Sequence, residues 1–89
     1  MIYGLYSIRD VKTGFMTPVL ESSDAVAMRN FVHTVINSDT PLLSYSQDFA
    51  LYKIGEFDSD SALVTPLSPV QLVMQASDAA RYPGGDTRG

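Results

Sequence analysis

The 89-residue chain has no cysteine and no tryptophan, a single histidine, and six lysines and arginines against ten aspartates and glutamates. Each shortage excludes something. Without cysteine there is no disulfide framework, no thiol nucleophile and no thiolate zinc site. A net charge of −4 runs against a generic polyanion binder, whose footprint is normally basic. The apolar runs are far too short to span a bilayer, so no membrane segment is expected. The first residues lack the basic segment, apolar core and small-residue cleavage site of a secretory signal, which points to the cytoplasm. The lone histidine, His33, falls on the polar side of a helical pattern with no acidic residue three or four positions away. It reads as a surface residue rather than as the centre of a triad. No G-x-S-x-G elbow accompanies the serines, which sit where caps and turns need them. Asp58 and Asp60 alternate as in a calcium loop but lack its glycine and its closing glutamate, so they read as turn formers. Gly84 and Gly85 have no preceding strand and no following lysine in register, unlike a phosphate loop. The expectation is a non-enzymatic protein with no metal and no cofactor.

What remains is 45% hydrophobic residues in a length suited to one domain, a chain that buries only about 60–65% of its unfolded surface. Ile2 to Asp10 alternates as a strand does, residues 11–14 form a turn closed by Gly14, and Phe15 to Leu20 resumes the extended pattern. Thr17 and Pro18 interrupt that second strand, since proline cannot donate to a ladder. Ser22, Ser23 and Asp24 then offer an N-cap and a first-turn acid before Met28, Phe31, Val32, Val35 and Ile36, which recur at helical spacing. Residues 38–48 read as a polar loop with an apolar patch at Leu42, Leu43 and Tyr45. Phe49 to Asp58 and residues 62–67 read as two further strands. Ser68, Pro69, Val70 and Gln71 spell a capping box for a second, shorter helix over residues 69–79. Residues 1–80 are therefore expected to form one α+β domain, and residues 81–89, rich in glycine and poor in apolar groups, a flexible tail.

A repeat underlies this layout. Leu5, Tyr6, Ser7 and Ile8 match Leu51, Tyr52, Lys53 and Ile54 at an offset of 46, and Met16, Thr17 and Pro18 match Val64, Thr65 and Pro66 at an offset of 48. Each match precedes a serine-capped helix pattern. Two ββα halves imply a four-stranded antiparallel sheet with both helices on one face, because each helix has one apolar stripe to bury.

Strand alternation divides the first and third strands into two faces. Tyr6, Ile8, Tyr52 and Ile54 share one with the small residues Gly4 and Ala50, which leave room for a close helix. Tyr3, Leu5, Phe49 and Leu51 share the other with Arg9 and Lys53, and this second face is expected to be open. An exposed apolar face of that kind marks an interaction site. Aromatics interleaved with cations suit base stacking, with Tyr3 and Phe49 as platforms, Arg9 and Lys53 as phosphate contacts and Lys12 as a flanking cation. The same residues serve a sheet-to-sheet homodimer, which the residues alone favour.

Leu5, Tyr6, Ser7, Ile8, Arg9 and Asp10, then Thr17 and Pro18, then Ser23, Asp24 and Ala25 opening a helix, resemble the small nonstructural protein of gokushoviruses, single-stranded DNA phages of the Microviridae. Asp48, Phe49, Leu51, Ile54, Gly55, Glu56 and Phe57, followed by Thr65 and Pro66, extend that resemblance over most of residues 3–67. It implies a non-capsid accessory protein acting around genome replication or packaging in the cytoplasm of the bacterial host. Weak, sequence-independent binding of single-stranded DNA is part of what it implies. The alternative is a homodimeric module that binds a phage or host replication or packaging protein.

Overall fold

The computed structural model describes residues 1–37 and 45–81. Within them lie β1 (Ile2–Asp10), β2 (Gly14–Phe15), β3 (Val19–Glu21), α1 (Asp24–Asn37), a 3-10 turn (Ser46–Asp48), β4 (Phe49–Asp58), β5 (Val64–Gln75) and α2 (Ala76–Ala80). The fold is α+β, as the two ββα halves imply. β1 pairs with β2 and β3 along one edge and with β4 along the other, and β5 pairs with the far side of β4, all antiparallel. Because Thr17 and Pro18 leave the ladder, β2 and β3 are the two surviving pieces of a single broken edge strand.

Both hairpin turns open with an aspartate that accepts a backbone N–H two residues on, Lys12 to Asp10 and Asp60 to Asp58, each at 2.9 Å. The second of these bonds holds the Asp58 carboxyl below the usual carboxylate range. Gly14 closes the first turn at φ 101°, a conformation that favours glycine. Ser23 caps α1 by accepting the Val26 N–H at 3.2 Å.

α1 buries Ala27, Phe31, Val32 and Val35 against Tyr6 of β1, Phe49 and Leu51 of β4, and Ala76 and Ala79 of α2. Both helices thus lie on the same face. The second helix is shorter than its capping box predicts. Residues 69–75 continue β5, and only Ala76–Ala80 is helical. The free edge of β4 pairs with Gln71, Leu72, Met74 and Gln75, and Val70, Leu72 and Val73 suit a strand better than the first turns of a helix. Of the expected tail, residues 82–89 lie outside the described residues, as do Leu42 and Leu43.

Two irregularities meet at one residue. Leu5 lies opposite Gly55 and Tyr6 opposite Lys53, so Ile54 has no partner in β1 and forms a β-bulge. On its other side Lys53 faces Gln71 while Gly55 faces Pro66, which sets residues 67–70, with their cis Ser68–Pro69 bond, opposite the same Ile54.

Candidate functional site

The bulge decides which side chains reach the open side of the sheet. Directly paired residues of an antiparallel ladder project to one face, and a one-residue slip exchanges the faces beyond it. On the N-terminal side of Ile54, Phe49 pairs with Asp10, Leu51 with Ile8 and Lys53 with Tyr6, all on the helix side. Ala50 pairs with Arg9 and Tyr52 with Ser7, on the open side. The expected faces of β4 are therefore exchanged: Phe49 and Leu51 are core residues, 8% and 5% exposed, and cannot offer a stacking platform. Lys53 is also on the helix side, with its Nζ 3.5 Å from Glu56 Oε2. Gly4 does not make room for a helix either. It makes room for the ring of Tyr6, which a β-carbon there would approach to 2.5 Å.

Tyr3 and Arg9 stand on the open face, as the alternation of β1 predicts, and Lys12 is exposed in the adjoining turn. Three further aromatics join them, of which strand alternation assigns Tyr52 to the helix side. Phe15 pairs with Arg9, Tyr52 with Ser7, and Phe57 with Tyr3. Phe15 and Tyr52 meet edge to face, their centroids 5.6 Å apart. Between the aromatic groups lie the small buried residues Ser7, Ala50 and Gly55, with the Ser7 hydroxyl donating to the Met16 carbonyl at 2.6 Å. Leu5, Leu20, Val64, Pro66, Leu72 and Gln75 also lie on this face, and Leu20, Val64 and Leu72 are exposed. Among the described residues no helix covers it.

Charge is segregated between the two sides. The strand carboxylates Asp10, Glu21, Glu56 and Asp58 all pair with helix-side residues, and Asp24 begins α1. Arg9 is the one charged residue among the paired positions of the open face. On the acidic side the Tyr6 hydroxyl donates to the Asp24 carboxylate. Burial first, then that bond and the charges of Asp24, Glu21 and Glu56, push the Tyr6 pKa well above its ordinary value.

A cleft of about 250 Å³ separates α1 from the broken edge strand, walled by Ile8, Val19, Phe31 and Leu51. Three of its polar residues are engaged with one another: Asn30 Nδ2 donates to Glu21 Oε2 at 3.0 Å, and Thr34 Oγ1 to the Asn30 carbonyl at 2.9 Å. Among the described residues no group of three or more His, Cys, Asp or Glu side chains is arranged to hold a metal ion. His33 stands exposed on α1, its Nδ1 3.1 Å from Asn37 Nδ2.

The family described as Phage ORF5 protein matches residues 3–79. The chain belongs to that family. The match runs from β1 into α2, so every open-face residue named above, and Ile54 at the bulge, lies within the stretch matched to the Phage ORF5 family. No curated protein and no solved structure matches the chain. Among the described residues no helix of this phage protein is long and apolar enough to cross a membrane.

Proposed function

We propose that this phage protein is a gokushovirus nonstructural accessory factor, without catalytic activity, that acts around genome replication or packaging in the host cytoplasm by binding single-stranded DNA weakly and without sequence preference. The observation that carries the reading is the open face: Tyr3, Phe15, Tyr52 and Phe57 flank Arg9 on a sheet side that no strand carboxylate shares. Open antiparallel sheets backed by helices bind single strands by stacking bases on such rings, each worth about 1–3 kcal/mol. Arg9 and Lys12 supply the phosphate contacts. Phe49 and Lys53 have no part in this site.

Fluorescence anisotropy of a labelled oligonucleotide at low salt tests it. Tyr52→Ala and Arg9→Glu should each weaken binding by tenfold or so, the scale of one lost stacking or phosphate contact. Lys53→Gln should leave binding unchanged. No binding at about 100 μM protein, the weak end of non-specific affinity, would sink the reading. A sheet-to-sheet homodimer is the second reading, favoured by the exposed Leu20, Val64 and Leu72 on the same face. In that case Phe57→Ser yields monomers, and Arg9→Glu does little to assembly.

A further inference from the structure

The sheet ends in two edges that differ in kind. The β2 and β3 edge offers pieces of two and three residues separated by Thr17 and Pro18. β5 is twelve residues long, and among the described residues nothing pairs with its outer side. Natural edge strands are guarded against pairing by charges, prolines, bulges or brevity. β5 has Pro66, Pro69 and the excursion at residues 67–70 in its first half. Residues 70–75 carry one irregularity, a register shift that leaves Val73 unpaired, but no proline and no charge, and the whole strand from Val64 to Gln75 has no charged side chain. Val70 and Leu72 are 37% and 51% exposed along it.

We infer that residues 70–75 are a self-pairing edge, and that a second copy of this chain docks there, β5 antiparallel to β5. The absence of charge removes the like-charge repulsion that normally forbids such contact, and any strand is register-compatible with its own copy about a two-fold axis. That axis must be perpendicular to the sheet for the strands to run antiparallel. Both open faces then lie on the same side of one continuous eight-stranded sheet, and neither is covered. Across the sheet the two Arg9 residues are five strand spacings apart, about 24 Å at about 4.8 Å each, with a further offset along the strands. One six-residue strand pair buries less than the roughly 800 Å² per partner of a standard interface, so the dimer is weak and dissociates on dilution. The inference is independent of what the open face binds.

Sizing by light scattering without nucleic acid, from low to high micromolar protein, tests it beside hydrogen exchange. Wild type should shift from monomer to dimer, and amide exchange in residues 70–75 should slow by about tenfold or more as the dimer forms. Gln71→Glu/Gln75→Glu should remain monomeric throughout with an unchanged circular dichroism spectrum, since Gln71 faces Lys53 within its own chain. Tyr3→Ser/Phe57→Ser should dimerise like wild type. The inference is overturned by a monomer at every concentration, by a dimer that survives the two glutamates, or by a dimer that the open-face pair abolishes. If the glutamate variant fails to fold, concentration-independent exchange in residues 70–75 of wild type overturns it equally.

Discussion

Tyr6 joins the two layers of the molecule. Its ring lies over Gly4 and its hydroxyl donates to Asp24 in the first turn of α1, so one side chain ties the central strand to the start of the main helix. Tyr6→Phe keeps the packing and removes the bond to a charged but exposed partner, which should cost about 1–2 kcal/mol. The pH dependence follows from the raised pKa. The unfolded chain loses its tyrosine proton near pH 10 while the folded chain still holds it, so stability is complete below about pH 10 and falls as pH rises beyond it. Urea midpoints at pH 8 and pH 11 should therefore converge in Tyr6→Phe relative to wild type; an equal alkaline loss in both would refute the assignment. Gly55 illustrates a different constraint. A β-carbon there would lie 2.8 Å from the Thr65 carbonyl oxygen, a backbone atom that cannot rotate away. Gly55→Ala gains a few tenths of a kcal/mol from the unfolded state and loses about 1–3 kcal/mol to the clash, so a net fall in melting temperature is expected.

At the scale of elements, what the sequence discloses depends on whether a feature is local. The first hairpin, the stripe of α1 through Phe31, Val32 and Val35, and the α+β class are all legible, because alternation and helical periodicity are properties of one segment. The length of β5 is not, since the capping box at Ser68 is a genuine local signal that a partner strand overrides. The face of Phe49 is hidden for a further reason. Nothing within β4 marks Ile54 as extra; the bulge exists only in its pairing with β1, and half of the expected site exchanged faces with it. Deleting Ile54 removes the unpaired residue and leaves every other β1 to β4 pair on its present face, so the protein should still melt cooperatively, losing about 1–3 kcal/mol for a half-buried side chain. Inserting an alanine beside Ile54 doubles the excess instead, and if the strand absorbs it by slipping one residue, Phe49 and Leu51 turn outward. Loss of cooperative melting is expected there; equal thermal stability of the two variants would show that the bulge does not set the faces.

For the whole molecule, net charge is a poor guide to what the open face can bind. The −4 summed over the chain includes the strand carboxylates Asp10, Glu21, Glu56 and Asp58, which the pairing places on the helix side, away from the open face. The local balance on the open side, Arg9 with Lys12 beside it, is positive but small. Two phosphate contacts on a single strand give a log-log salt slope of about −1.4, at roughly −0.7 per contact. Pairing through β5 puts both sets of cations on one surface, so one strand crossing it should show about −2.8. The two slopes belong to different protein concentrations. Binding measured below the dimerisation range should follow the shallow slope, and binding above it the steep one, with Gln71→Glu/Gln75→Glu shallow at both. A slope near zero at either concentration would mean that Arg9 and Lys12 touch no phosphate. A steep slope that persists in the monomeric variant would place the cations responsible elsewhere on the chain.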